Sequence, residues 1–214
     1  MAKISVIGGT GFAGGAVVRE AARRGHEVIC LSRHEPEPQV PGVEYLTGSA
    51  LDHDVLARVV SEADVVFEAL SPRGDMAGRV EAVFEDLLTL AAEHGSRLGV
   101  LGGASSLLVS ENGPRLFDAG PVAPEVLPEV ELGMHKLERL LAAPESLDWF
   151  YLSPPAEFGA WVPSTETGQY RTSDDVLLRD SEGKSEISAA DLAIAVLDEI
   201  EQPAHRRRRF HVAH

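Results

Sequence analysis

The segment ISVIGGTGFAG, residues 4–14, joins an apolar strand to the start of a helix through a glycine-rich turn. Its glycines fit two overlapping spacings, Gly9-x-Gly11-x-x-Gly14 and Gly8-x-x-Gly11-x-x-Gly14. In both, the first glycine permits a tight turn, Gly11 leaves room for a phosphate beside the backbone, and Gly14 lets the helix pack closely on the strand. Because amides at a helix N-terminus bind anions, this context favours a dinucleotide site over a turn without a ligand. The predicted binding residues of the turn are Gly8, Gly9, Thr10, Gly11, Phe12, Ala13 and Gly14.

The rest of the chain alternates apolar strands with amphipathic helices. Strands are predicted over residues 3–7, 27–31, 43–47, 63–70, 97–101, 147–152 and 210–212, with a short hairpin over 170–172 and 176–179. Helices are predicted over 12–24, 52–62, 75–94, 128–141 and 188–200, and a long loop over 107–128. This alternation predicts an α/β fold, a Rossmann-like doubly wound parallel sheet with helices on both faces. We expect a single domain over residues 1–214, with a small C-terminal lobe on the substrate side after about residue 152.

Charge and cysteine content restrict the class of partner. The formal net charge is −15, which argues against nucleic acid and membrane partners because both carry negative charge. The run Arg206–Arg209 is the exception, and it is either an anion site or a solvated edge beside the last strand. Cys30 is the only cysteine and lies in an apolar run, so no disulfide and no metal site is predicted. No signal peptide or membrane-spanning stretch is recognised, and a reducing cytoplasm is the expected location.

The end of the second strand bears on which dinucleotide binds. An acidic residue there would bind the ribose hydroxyls of NAD, but this chain has Ser32 and Arg33. The Arg33 guanidinium can hold a 2′-phosphate and stack on adenine, and Ser32 can add a hydrogen bond. These residues favour NADP, with NAD still possible because Glu35 lies two residues beyond Arg33. Asp52 is either a contact to the adenine edge or the N-cap of the next helix.

Several motifs in matching order give the chain a resemblance to a known superfamily. They are GGTGFAG, LSR, LGGASSLL, MHKLERLL and LSPPAEF followed by TGQYR. Through them the chain resembles the atypical short-chain dehydrogenases/reductases, in the group of biliverdin reductase B, flavin reductase and NADH-flavin reductase-like proteins. The resemblance covers nearly the whole chain. It implies a Rossmann-like domain, a nicotinamide cofactor bound across the carboxyl edge of the sheet, and hydride transfer to a flat conjugated acceptor.

One expected feature of this superfamily is missing. Most short-chain reductases move a proton with a Tyr-x-x-x-Lys pair, but none of Tyr45, Tyr151 and Tyr170 is followed by lysine at that spacing. Leu132 lies four residues before Lys136, where the tyrosine would be. A conventional alcohol dehydrogenase or epimerase mechanism is therefore not expected. A flavin-like or tetrapyrrole-like acceptor is affected less, because its ring takes the hydride and the proton can come from solvent.

The remaining candidate residues come from strand ends, because ligands of such sheets bind at the carboxyl edge. The resemblance implies that Ser105 is the serine that hydrogen-bonds the reacting group, with a loop-stabilising serine as the alternative. It also implies that prolines after the sixth strand wall the nicotinamide. Ala156 stands where biliverdin reductase B has a histidine, which weakens the expectation of biliverdin-like contacts. The further strand-end residues predicted to contact the cofactor are Ala69, Leu70, Gly103, Pro154 and Pro155.

The helix over residues 128–141 carries the second catalytic candidate. Lys136 is predicted off its buried face, reaching the nicotinamide ribose or, alternatively, pairing with Glu129 or Glu131 on neighbouring turns. His135 is predicted to be a surface histidine. The residues predicted to point inward are Val130, Met134, Leu137 and Leu141. Aromatic residues that either stack on a flat acceptor or simply pack in loops are Phe117, Phe158 and Trp161.

Three functions remain in competition at this point. The first is an NADP-dependent oxidoreductase acting on a small-molecule acceptor, either a flavin (FMN or FAD) or a quinone-like compound. The second is a non-catalytic NADP(H)-binding redox sensor, because the missing tyrosine fits both functions. The third and weakest is an epimerase, which needs the tyrosine. The chain is expected to be a monomer or a homodimer.

Overall fold

The computed structural model describes residues 1–162 and 164–214. The strands of this part of the chain are β1 Lys3–Ile7, β2 Glu27–Ser32, β3 Val43–Thr47, β4 Val65–Glu68, β5 Arg97–Leu101, β6 Trp149–Ser153, β7 Arg171–Ser173 and β8 Arg208–Ala213. The α-helices are α1 Phe12–Arg23, α2 His53–Ser61, α3 Val80–His94, α4 Leu127–Leu141 and α5 Ala189–Glu201. Short 3-10 helices cover Gly74–Met76 and Leu116–Asp118.

The strands form one sheet in the order β3-β2-β1-β4-β5-β6-β8-β7. All neighbouring pairs are parallel except β7 and β8. The chain runs outward from β1 to β3 and then returns to the other side of β1, so the order reverses between β1 and β4. In a doubly wound sheet the ligand crevice opens at this reversal, at the carboxyl ends of the strands. The predicted α/β doubly wound fold is confirmed.

Helices cover both faces of the sheet. Helices α1 and α5 share one buried cluster, and α2, α3 and α4 share the other. Alternate residues of β4 enter opposite clusters, Phe67 on the first side and Val66 on the second. Fully buried side chains of this size contribute about 1.5–3 kcal/mol each to stability. Glu68, two residues after Val66, therefore points to the layer that contains α4. Among the described residues, no helix combines the length and apolarity needed to cross a bilayer.

The glycine turn is fixed by close backbone contacts. Gly8 has a φ of +84°, and a Cβ there would lie 2.8 Å from the carbonyl oxygen of Ala69. A Cβ on Gly14 would lie 2.3 Å from the carbonyl oxygen of Gly8. Both clashes involve backbone atoms, which cannot rotate away as a side chain can. The turn is thus wedged between α1 and the end of β4.

Three predictions about secondary structure need correction. The helix predicted over 75–94 begins only at Val80, because Gly78 adopts a φ of +70° that interrupts a helix, and the segment before it forms the short 3-10 helix Gly74–Met76. The predicted hairpin is wrong: β7 pairs with β8, and Val176 bridges Leu108 instead. In α4 the buried face is rotated from the prediction, and Leu141 is 66% exposed. The residues of α4 that are buried are Gly133, Lys136, Leu137 and Leu140.

The four consecutive arginines contact neighbouring acceptors. Arg207 donates hydrogen bonds to backbone carbonyls that follow α4, including that of Leu147 at 2.8 Å. Arg208 pairs with Asp174 at 3.2 Å. Arg206 and Arg209 contact Asp148 and Asp175, respectively. These contacts favour the interpretation of the run as a solvated edge beside β8.

A buried carboxylate organises the segment that contains the TGQY motif. Asp191, fully buried in the first turn of α5, accepts hydrogen bonds from the amides of Thr167 at 2.9 Å and Gly168 at 2.7 Å. The Ser188 hydroxyl donates to it at 2.7 Å, and His214 Nε2 lies 2.7 Å away. Burial alone would raise the pKa of this carboxyl, but the hydrogen bonds outweigh burial and lower the pKa. The carboxylate therefore ties the motif and β8 to the start of α5.

We expect Asp191→Asn to reduce the free energy of unfolding at pH 7 by about 2 kcal/mol, because hydrogen bonds to a charged acceptor are lost. A lowered folded-state pKa means that the stabilisation is present above the unfolded pKa of about 3.9 and is lost as pH falls through the folded value. Urea denaturation across pH measures both effects. The matched control Glu145→Gln removes an exposed carboxylate and should leave stability unchanged. Equal stability of Asp191→Asn and wild type would contradict the assignment.

Candidate functional site

A cavity of about 820 Å³ opens at the carboxyl edge of the sheet, over the reversal between β1 and β4. It brings together segments that follow β1, β2, β4, β5 and β6. Most of the predicted site residues line it, namely Gly8, Thr10, Gly11, Phe12, Ala13, Ser32, Arg33, Ala69, Leu70, Gly103, Ser105, Lys136, Pro154 and Pro155. Residues that were predicted from six separate segments of the sequence are therefore neighbours in space.

Two predicted glycines lie behind the cavity wall instead of in it. A Cβ on Gly9 would come within 2.6 Å of Cys30 Sγ, so this glycine packs the turn against β2. Gly14 sets the approach of α1 to the turn, as its contact with Gly8 shows. Both shape the site without facing its contents.

The start of α1 provides an anion-binding end of the cavity. Gly11 is the N-cap residue, and because glycine has no side chain, no N-cap side chain accepts hydrogen bonds from the amides of the first turn. The first amides of a helix have no partner within the helix, and the positive end of the helix dipole lies there. Phe12 and Ala13 line the cavity at this point. The arrangement suits a pyrophosphate.

Ser32, the last residue of β2, and Arg33, which follows it, line the cavity on its β2 side. The Ser32 hydroxyl donates to the His34 carbonyl at 2.8 Å. The Arg33 guanidinium contacts the carboxylate of Asp75, and this hydrogen bond is the main cause of a lowered Asp75 pKa. The contact uses Nη1 of Arg33, so the other N–H groups of the guanidinium can face a phosphate, with the Asp75 carboxylate beside it. Sequence patterns did not reveal Asp75 as its partner.

Asp52 does not line the cavity. Its carboxylate accepts hydrogen bonds from the amides of Asp54 at 3.1 Å and Val55 at 3.3 Å. It is therefore the N-cap of α2, which was the alternative interpretation. The prediction that it contacts adenine finds no support in this geometry.

Lys136 is part of a buried ion pair. Its Nζ lies 2.6 Å from Glu68 Oε2, and the exposed fractions of the two side chains are 3% and 0%. The other carboxylate oxygen of Glu68 accepts the Leu70 amide at 2.8 Å. The prediction that Lys136 lies off the buried face, with Glu129 or Glu131 as its alternative partner, is wrong. A carboxylate inside the apolar run ADVVFEAL was the available signal for Glu68.

Tyr151 supports the cavity floor from below. Its hydroxyl donates to the Gly133 carbonyl at 2.8 Å and accepts the Gly103 amide at 3.0 Å. Burial raises the pKa of this phenol to about 12, so it stays protonated. A Cβ on Gly102 would lie 1.8 Å from the Tyr151 ring, which shows how closely the β5 loop rests on it. The absence of a Tyr-x-x-x-Lys spacing excluded Tyr151 as a catalytic residue but gave no sign that its hydroxyl joins β6 to α4 and to the loop after β5.

The remaining candidates divide between the cavity and its surroundings. Phe158 and Trp161 line the cavity, and Phe158 packs on Phe12 with ring centroids 5.3 Å apart. Phe117 is not among the lining residues. His135, a third exposed, lies 3.3 Å from Glu81 of α3 and faces away from the cavity lining.

Comparison with known proteins agrees with this geometry. The chain is 35% identical to the uncharacterized protein YwnB of Bacillus subtilis (strain 168), over 98% of this chain and 97% of that protein. A Bacteroides thetaiotaomicron structure provisionally described as an epimerase is 31% identical, with a TM-score of 0.87 over 99% of this chain and 96% of that one. A Streptococcus pneumoniae TIGR4 structure provisionally described as an NADH-flavin reductase is 29% identical, with a TM-score of 0.86 over 100% and 99% of the chains.

These relatives agree with the resemblance to the atypical short-chain dehydrogenase/reductase and flavin reductase-like group. The family model described as NAD(P)H-binding matches residues 8–203, which include the glycine turn, β4, α4 and the whole of α5. This chain therefore belongs to the NAD(P)H-binding family.

Proposed function

We propose that this protein is an NAD(P)H-dependent reductase that delivers hydride to a flat conjugated acceptor, a flavin or a quinone-like compound. The observation that carries the proposal is the cavity wall at α4. Leu132, in the position of the usual tyrosine, lines the cavity one turn before Lys136. An apolar side chain cannot exchange a proton with a substrate oxygen. Acceptors whose rings spread the charge do not require that proton from the protein.

The residues of the cavity suit a nicotinamide dinucleotide. The α1 turn would hold the pyrophosphate, and Arg33 with Ser32 would hold a 2′-phosphate, which favours NADP over NAD. Pro154 and Pro155 would wall the ring. When bound, the reduced nicotinamide supplies the hydride. The protein contributes orientation, which alone can remove a large part of a reaction barrier.

Lys136 suits a contact to a ribose hydroxyl. An ammonium group has three N–H donors, and the hydrogen bond to Glu68 uses one of them. Lys136 also lines the cavity, so a second donor can face a ligand. Glu68 fixes the direction of the ammonium group and neutralises its charge below the cavity.

The missing tyrosine also fits a second function, a non-catalytic NADP(H)-binding redox sensor. Such a protein would bind the dinucleotide but would not turn over an acceptor. An epimerase is disfavoured, although one solved relative is described as such, because Leu132 replaces the residue that would move the proton.

We expect the protein to bind NADPH more tightly than NADH and to oxidise NADPH when excess FMN or a soluble quinone is added. Calorimetry compares the two dinucleotides, and stopped-flow mixing follows the oxidation. NADPH binding with oxidation no faster than in protein-free mixtures would contradict the reductase and support the sensor. Tight NADH binding without NADPH binding would contradict the role of Arg33.

We expect Asp75→Asn to strengthen NADPH binding about two- to fivefold and to leave NADH binding unchanged. Asp75 both occupies Arg33 and repels a 2′-phosphate, and exposed charges have effects of this modest size. Asp86→Asn is the control, because it removes an exposed carboxylate from α3 outside the cavity lining. Equal changes for NADPH and NADH would argue that the 2′-phosphate does not meet Arg33.

We expect Glu68→Gln to destabilise the protein by about 3–5 kcal/mol, because it leaves the Lys136 charge buried and unpaired. The double variant Glu68→Gln/Lys136→Met should recover much of this loss, since it removes both charges. Its NADPH affinity should nevertheless stay below that of wild type. Urea denaturation and calorimetry measure these two quantities. If the double variant binds NADPH as wild type does, Lys136 is not a cofactor contact.

A further inference from the structure

The acceptor side of the cavity has a charged and aromatic rim, formed by Arg73, Glu129 and Trp161. Arg73 follows β4, Glu129 lies in the first turn of α4, and Trp161 follows β6. All three line the cavity. The Arg73 backbone lies two residues before Asp75, the partner of Arg33. The Arg73 side chain, however, reaches Glu129 of α4 and Trp161 after β6. In the sheet order β6 and β2 lie on opposite sides of β1, so the Arg73 guanidinium faces the β6 side of the cavity and Arg33 follows β2 on the other side.

We propose that this rim recognises a planar aromatic acceptor that bears an anionic group, with Trp161 contacting the ring and Arg73 pairing with the anion. The inference rests on the proposed reductase function and deepens it by assigning the charge of the acceptor. Glu129 is the internal partner that the anion replaces.

Trp161 presents an unusual amount of apolar surface. Its exposed fraction is 66%, and two other large apolar lining residues, Phe12 and Val126, are exposed by 42% and 38%. Exposed apolar side chains that line one cavity indicate a ligand surface. A Cβ on Gly159 would lie 2.3 Å from the indole, so the missing side chain lets the Trp161 ring lie against its own loop. The indole is thus held in place with much of its surface free.

Arg73 is poised to exchange partners. Its Nη2 and Nε lie 2.7 and 3.2 Å from the same oxygen, Glu129 Oε2, and its guanidinium carbon lies 5.4 Å from the Trp161 ring centroid. The side chains of Arg73 and Glu129 are 56% and 46% exposed. Exposed ion pairs of this kind are weak, so Glu129 is easily displaced. A carboxylate or phosphate has two or more oxygens in the spacing of the guanidinium donors and can pair with both.

The ion pairs around the cavity differ in how easily a ligand can displace them. The chain as a whole carries a net charge of −15. The charged residues that line the cavity are Arg33, Arg73, Glu129 and Lys136, three cations and one anion. Each of these cations has a carboxylate partner: buried Glu68 for Lys136, and the exposed Asp75 and Glu129 for Arg33 and Arg73. In the described part of the cavity lining, Arg73 is the cation on the acceptor side whose exposed partner an anionic ligand can displace.

The test compares FMN with riboflavin, which have the same ring and differ in the phosphate. Calorimetry with NADP⁺-saturated protein should show FMN binding about tenfold more tightly, the gain expected from one charge-assisted bidentate contact. Arg73→Gln should abolish this preference while leaving riboflavin and NADPH binding unchanged. Glu129→Gln should strengthen FMN binding alone, and Trp161→Ala should weaken both flavins equally.

Arg79→Gln is the matched control, because Arg79 is exposed near the same loop but does not line the cavity. It should leave the preference for FMN intact. Equal affinity for the two flavins in the wild type, a uniform loss in Arg73→Gln, or binding of neither flavin would overturn the inference. Steady-state NADPH oxidation distinguishes a failure of the proposed anion site from a failure of the proposed reductase function. Reduction of both flavins without preference refutes only the anion site, whereas preferential binding without NADPH oxidation refutes only the reductase.

Discussion

The buried ion pair between Glu68 and Lys136 fixes the relation between the sheet and the helix that closes the cavity. Removing two charges from water costs several kcal/mol for each ion, and only close, well-directed contact offsets that cost. The 2.6 Å contact between them therefore requires α4 to lie in one position over the end of β4. Tyr151 reinforces this position through Gly133 and Gly103. The floor of the cavity follows from these contacts.

The same pair explains where the sequence was informative and where it was not. The glycine turn, the strand alternation and the capping serine of α5 are local patterns, and their predicted structures are confirmed. Apolar periodicity in α4, however, predicted Leu141 on the inner face. Lys136 is buried instead, because its partner lies 68 residues away in β4. No local pattern could relate two charges at that distance, although a carboxylate within an apolar strand was a visible anomaly.

The site shows a similar division. Residues proposed to contact the dinucleotide come from short motifs at strand ends, so the topology alone brings them together. The carboxylates that pair with the exposed arginines of the cavity come from other segments: Asp75 pairs with Arg33, and Glu129 pairs with Arg73. Such pairings depend on loop conformations that a single sequence does not determine. The sequence shows the TGQY motif as part of the family resemblance but does not show its structural role. The structure supplies that role, because the amides of Thr167 and Gly168 in the motif bind the buried Asp191 carboxylate.

The two hydrogen bonds of the Tyr151 hydroxyl restrain one part of the cavity more than the other. Its hydroxyl joins β6 to both the β5 loop and α4, so a shift of the floor would break two hydrogen bonds at a buried group. The rim has no comparable restraint, because exposed side chains form it. If the proposed function holds, substitutions at the rim would alter which acceptors are admitted while the proposed dinucleotide end keeps its geometry. Such a reductase would acquire new substrates in small steps without first losing its cofactor.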